Sequence, residues 1–136
     1  MFRNLFYHRV GLFSLFIKWM CRPCDTFVIG RKTKIGKGLL CVHPFATVIN
    51  AKSVGDCFTI KNCVTIGINR RDEKPIIGNN VTVNSNSVVI GNITIGDNVI
   101  IGVGSVVNKD VPANSVVVGN PARIIRKNGI DVDVKL

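Results

Sequence analysis

Residues 77–107 read IGNNVT VNSNSV VIGNIT IGDNVI IGVGSV V, and an aliphatic residue opens every sixth place: Ile77, Val83, Val89, Ile95, Ile101 and Val107. Small or β-branched residues recur near the fifth place, as Val81, Ser87, Ile93, Val99 and Ser105. A hexad makes a short strand and a tight corner. Three hexads close a triangular coil, and coils stack ~4.8 Å apart through parallel backbone hydrogen bonds. The leading aliphatic side chain points inward, because a stack of coils has no other place to bury apolar surface. Strands of a sandwich would instead alternate, with turns every 8–12 residues or so.

The same beat runs upstream. Ile29, Ile35 and Cys41 keep it, and after a one-residue slip it resumes at Val54, Ile60 and Ile66; a non-periodic insert, Ile68–Pro75, separates Ile66 from Ile77. Glycine often follows the aliphatic place (Gly30, Gly36, Gly55, Gly67, Gly78, Gly96, Gly102). Asparagines such as Asn79, Asn80, Asn86 and Asn98 suit corners that need left-handed backbone torsions. The expected architecture is all-β, a parallel β-helix of hexapeptide repeats over 26–125. An amphipathic helix and linker over 1–25 precede it, and a C-terminal tail over 126–136 follows. The helix and the tail are the expected caps of the stack.

The helix is read from Phe2, Leu5, Phe6, Val10, Phe13, Phe16, Ile17 and Met20, which recur at helical spacing. Arg3, Arg9 and Lys18 break the apolar run short of a membrane span, and no small-residue cleavage site follows it. Two placements stay open: packing on the fold or a neighbouring subunit, or peripheral contact of residues 1–20 with a membrane surface. The expected location is the cytoplasm, with the inner membrane face as the alternative.

The chain of 136 residues carries a net charge of +10, which calls for an anionic partner. Nucleic acid is excluded as that partner, because the basic residues are scattered and no aromatic platform or nucleic-acid motif accompanies them. Five cysteines, Cys21, Cys24, Cys41, Cys57 and Cys63, include one isolated CxxC and no second pair at zinc-site distance. Reduced thiols are expected, and no metal site. Of two histidines, His8 lies in the amphipathic segment and His43 stands where the hexad series slips. A slip displaces side chains from the regular wall, which makes His43 the candidate for chemistry.

These features resemble the hexapeptide-repeat, left-handed β-helix acyltransferases, and within them the branch of serine acetyltransferase-like and polysaccharide-cluster enzymes. The resemblance covers Ile29 to Ile125. It is carried by Ile35-Gly-Lys-Gly-Leu39, His43 with Val48-Ile49, Cys63-Val-Thr-Ile-Gly67, Gly91-Asn-Ile-Thr-Ile-Gly96, Ile101-Gly-Val-Gly-Ser-Val-Val107 and Val118-Gly-Asn-Pro-Ala-Arg-Ile-Ile125. It implies a homotrimer with sites in the grooves between subunits, acetyl-coenzyme A as acyl donor, and His43 as general base. Ser85, Val103, Asn108, Lys109 and Arg123 fall where relatives contact the cofactor. Arg70, Arg71 and Lys74 of the insert would overhang the acceptor.

Serine acetyltransferases carry an aspartate before the catalytic histidine, another a coil earlier, and a second histidine in the insert. Here Val42, Val28 and Lys74 stand at those places. Valine accepts no hydrogen bond and binds no ammonium. The expected acceptor is therefore a hydroxyl or amine of a small molecule, with a sugar of polysaccharide biosynthesis ahead of serine. A non-catalytic trimeric scaffold is the rival outside enzymology. A zinc enzyme of the same fold would need three histidines.

Overall fold

A computed structural model describes residues 26–69 and 73–136. The expected helix over 1–25, Cys21 and Cys24, and the insert residues Arg70 and Arg71 lie outside the described residues.

The described chain winds through sixteen short strands on three faces, as the hexad beat requires. The first face stacks β1 (Phe27–Ile29), β4 (Thr47–Ile49), β7 (Thr65–Gly67), β10 (Val88–Ile90) and β13 (Val106–Val107). The second stacks β2 (Lys34–Ile35), β5 (Ser53–Val54), β8 (Ile76–Ile77) and β11 (Thr94–Ile95). The third stacks β3 (Leu40–Cys41), β6 (Thr59–Ile60), β9 (Thr82–Val83), β12 (Ile100–Ile101) and β14 (Ser115–Val118). It ends in β15 (Arg123–Lys127) and β16 (Ile130–Lys135). Coil-to-coil pairing is parallel throughout, in a left-handed β-helix.

The inward residues form vertical columns. On the first face Ile29, Ile49, Ile66, Val89 and Val107 are register partners in sequence, and all are buried. The fifth-place residues Val64, Val81, Ser87, Ile93, Val99 and Ser105 are buried beside them, and Phe58 is the largest fully buried side chain among the described residues. Each fully buried Ile or Val contributes on the order of 2 kcal/mol relative to exposure. Two buried hydroxyls are satisfied within the wall, Ser87 Oγ and Ser105 Oγ both donating to the Gly102 carbonyl at 2.8 Å, while buried Thr33 Oγ1 has no partner among the described residues.

Corners are where torsions and side-chain chemistry meet. Between the second and third faces Cys57, Asn80, Asn98 and Asn114 all hold φ between 53° and 57°. There the Asn80 amide donates to Asn98 Oδ1 and the Asn98 amide to Asn114 Oδ1, both at 2.9 Å. One position before this column, the Asp56 N–H donates to Asn79 Oδ1 and the Asn79 N–H to Asp97 Oδ1. The asparagines thus serve twice, tolerating a left-handed backbone and bonding coil to coil.

Residues 126–136 differ from the expected tail. Arg126 and Lys127 complete β15, and β16 returns antiparallel across Asn128-Gly129, whose φ values of 51° and 80° are those of a tight hairpin turn. This hairpin continues the third face beyond β14 and buries Ile124.

Glycine is required where coils touch. A Cβ on Gly55 would stand 2.5 Å from the Gly78 carbonyl oxygen and 2.6 Å from its carbon, both backbone. A Cβ on Gly67 would meet nothing within 4 Å. In urea unfolding, Gly55→Ala is expected to destabilise the chain by ~2 kcal/mol or more, through forced separation of coils. Gly67→Ala is expected to stay within about 0.5 kcal/mol of the parent. Equal losses at the two positions would contradict this packing.

Candidate active site

The site begins with a counting mismatch. The chain advances six positions between inward residues, but eight from Cys41 to Ile49 and five from Ile49 to Val54. The single slip read from sequence is therefore two opposite ones, two residues gained at the corner between third and first faces and one lost at the next corner. The gained residues leave the wall, and His43 is among them. It is exposed with φ 48°, a torsion uncommon for a residue with a Cβ.

The loop is pinned at its base. The Phe45 N–H donates to the His43 carbonyl at 2.6 Å, and the Phe45 carbonyl accepts from Thr47 Oγ1 at 2.9 Å and from the Cys63 N–H at 2.8 Å. Buried Thr47 also donates to the Lys61 carbonyl at 3.2 Å. Fixed in this way, the loop holds the imidazole outward with its nitrogens free; among the described residues neither a side-chain hydrogen bond nor a carboxylate engages them. Val42, immediately before it, is half-buried.

Below His43 the same corner repeats in every coil. The register Val48, Thr65, Val88, Val106 places Phe45, Asn62, Ser85 and Val103 one beneath another. The next residue in each coil, Ala46, Cys63, Asn86 and Gly104, has positive φ. Ser85 Oγ donates to Asn62 Oδ1 at 2.8 Å, and the Ser85 carbonyl accepts from the Gly104 N–H at 3.0 Å. Val103 is 67% exposed, and its peptide groups bond to no described residue. Phe45, at 63% exposed, gives this edge an apolar upper end that was not anticipated from sequence.

The edge runs on to Gly119, whose carbonyl accepts from the Val106 N–H at 3.0 Å. There an open depression of about 510 Å³ is lined by Asn120, Pro121, Arg123, Lys135 and Leu136. Arg123 Nε lies 3.1 Å from Asp133 Oδ1, both side chains solvated. Lys135 and Asp133 lie beyond the reach of the hexad beat, and the Asn128-Gly129 turn is the sequence signal that marks their hairpin. At ~4.8 Å per coil, the edge spans ~14 Å from the His43 corner to Val103 and ~19 Å to this depression.

His43, Ser85, Val103 and Arg123 thus share one edge. Asn108 and Lys109 do not join them within the chain: they follow β13 at the corner between first and second faces, exposed, on the edge that also carries Lys74. Among the described residues no three His, Cys, Asp or Glu side chains converge as a metal site would need. Burial pushes the Cys41 thiol above its ordinary pKa, while Cys57 is exposed and Cys63 half-buried beneath the His43 loop.

Comparison with known proteins follows the same lines. Residues 74–109 match the family described as Bacterial transferase hexapeptide (six repeats). The chain is 35% identical to a serine acetyltransferase of Synechococcus elongatus over 133 residues, covering 95% of this chain and 54% of that protein. It is 42% identical over 103 residues to a serine acetyltransferase of Staphylococcus aureus, covering 73% of this chain and 48% of that protein. The structure superposes on Neisseria gonorrhoeae serine acetyltransferase with TM-score 0.78 and 29% identity, over 96% of this chain and 54% of that one. On the coenzyme A complex of Brucella abortus serine acetyltransferase it gives TM-score 0.77 and 28% identity, over 93% and 54%. The chain spans about half the length of the curated relatives it matches.

Two outcomes follow from the geometry. His43→Asn, which keeps a residue tolerant of positive φ at an exposed place, is expected to leave urea stability within about 0.5 kcal/mol of the parent; a larger loss would make His43 a structural residue. Iodoacetamide at pH 8, read by peptide mass spectrometry, is expected to modify Cys57 in the native protein. Cys41 should react only in denaturant, because its buried thiol stays protonated.

Proposed function

We propose that this chain, which belongs to the hexapeptide-repeat family in its serine acetyltransferase-like branch, is an acetyl-coenzyme A-dependent O-acetyltransferase with His43 as its base. The observation that carries the proposal is the outward-held imidazole at the head of an edge ~19 Å long that ends in a depression lined by Arg123 and Lys135. An extended thioester substrate needs its reactive carbonyl at one end and its phosphates at the other, and this edge offers both.

In that placement the pantetheine arm lies along Phe45, Ser85 and Val103. The free peptide groups of Val103 bond its amides. Arg123 and Lys135 receive the phosphates, which requires Arg123 to exchange its solvated contact with Asp133. His43 takes the proton of the acceptor hydroxyl as the oxygen attacks the thioester carbonyl. When the tetrahedral intermediate collapses, the C–S bond breaks and the protonated imidazole returns the proton to the departing thiolate. One imidazole can both accept and donate a proton, so a single side chain serves both steps. In a homotrimer, the arrangement implied by the family, the edge bearing Asn108, Lys109 and Lys74 would lie on a neighbouring copy and close the groove. A cytoplasmic location, where the acyl donor is made, suits this chemistry.

Similarity to serine acetyltransferases supports serine as the acceptor ahead of the sugar expected from sequence. A sugar hydroxyl stays as a second reading on one observation: Val42 and Val28 offer no carboxylate at the His43 loop to hold an ammonium.

The test is thiol release from acetyl-coenzyme A with serine and a panel of sugars as acceptors. His43→Ala is expected to lower kcat about 100-fold or more. Arg123→Gln should raise KM for acetyl-coenzyme A severalfold, with kcat little changed. Full activity in His43→Ala would sink the proposal.

A further inference from the structure

The second face carries a cationic hollow of which the acyl-transfer reading uses Lys74 alone. An open depression of about 840 Å³ lies across β2, β5 and the segment entering β8, lined by Lys32, Lys34, Lys52 and Lys74 together with Ser53 and Glu73. The coil register builds it. Lys34 faces Ser53 across the ladder and Ser53 faces Ile76. The Lys34 N–H approaches the Lys52 carbonyl at 3.4 Å, and the Lys52 N–H bonds the Pro75 carbonyl at 2.8 Å. Three successive coils, ~4.8 Å apart, thus each bring a lysine to one hollow. The insert, which stretches the step from Ile66 to Ile77 to eleven positions, supplies Glu73 and Lys74 as its wall.

Among the described residues the charges in this hollow are not balanced. Four ammonium groups face one carboxylate, and among the described residues Glu73 pairs with none of them; both described ion pairs belong to the β15–β16 hairpin. Like charges gathered in a concavity focus a positive potential, which is relieved by a bound anion. Ammonium groups are compact donors suited to phosphate oxygens. Ser53 and Asn92, which also line the hollow, add neutral donors. The volume falls within the ~300–1,000 Å³ of small-molecule sites. A concave shape with a carboxylate in its wall suits a soluble anion better than a flat lipid surface.

We infer that this depression binds a phosphate-bearing small molecule, a phosphate or diphosphate ester distinct from the coenzyme. The inference goes beyond the acetyl-transfer reading and does not depend on it. Inorganic pyrophosphate is the probe, titrated calorimetrically into the full chain at low ionic strength. In an Arg123→Gln background, which removes the phosphate contact proposed for the coenzyme, saturable binding with one site per chain is expected. Lys34→Gln and Lys52→Gln should each weaken it about threefold to fivefold, while Lys127→Gln, on the hairpin, leaves it unchanged.

Absence of saturable binding, or equal weakening by all three variants, would overturn the inference. So would displacement of pyrophosphate by coenzyme A, which would assign the hollow to the acyl donor and leave acetyl transfer standing. Sedimentation with phosphatidylglycerol vesicles through the same lysines, without pyrophosphate binding, would replace it with a membrane surface. Conversely, loss of thiol release with pyrophosphate binding intact would remove the acetyltransferase and keep this site.

Discussion

Every residue in the described coils is placed by one constraint, the parallel backbone hydrogen bonds that tie each coil to the next. Gly30 N–H to Ile49 carbonyl, Asn50 N–H to Ile66 carbonyl and Val88 N–H to Ser105 carbonyl are rungs of this ladder on a single face. Because the rungs repeat at a fixed rise, the wall has no slack. A residue added to a coil cannot be absorbed in a strand without turning its inward side chains out, so it must leave at a corner. The fold therefore sorts sequence irregularities automatically: what breaks the beat ends up outside.

That sorting explains what could be read in advance. The hexad beat marks strands and core because an inward Ile or Val is the only arrangement that buries apolar surface in a stack; Val83, Val89, Ile95 and Ile101 obey it with no exposure. The beat fails to mark Ile49, which is fully buried but lies eight positions past Cys41. A gain of two followed by a loss of one looks, in the sequence, like a single slip. Only the pairing of Ile49 with Ile29 and Ile66 separates the two. The C-terminal hairpin was missed for another reason. Antiparallel pairing has a period of two, so a reading tuned to six passes over Arg123–Lys135 although Asn128-Gly129 announces the turn.

The candidate site was legible in part. His43 stood out because it sat at a break and because histidine is scarce in the chain. Its outward direction and strained torsion belong to the loop geometry, which no period encodes. Ser85 and Val103 could be related to His43 only once three coils were stacked, since 42 and 60 residues of sequence separate them from it. The same stacking sends Asn108 and Lys109 to a different edge, a distinction that linear spacing does not carry.

A solenoid also makes distance along its axis a chemical variable. Residues at one corner differ only in height, at ~4.8 Å per coil. An elongated substrate laid on such an edge meets a fixed sequence of groups: imidazole loop, then Asn62 and Ser85, then Val103, then the hollow beside Arg123. Moving a charge by one hexad within a coil moves it to another edge, whereas moving it by a whole coil shifts it along the same one. The cationic hollow on the second face and the one at Gly119 lie on different sides for that reason, and not because sequence separates them. Charge among the described residues is therefore read by corner and by coil, and it gathers in separate local patches.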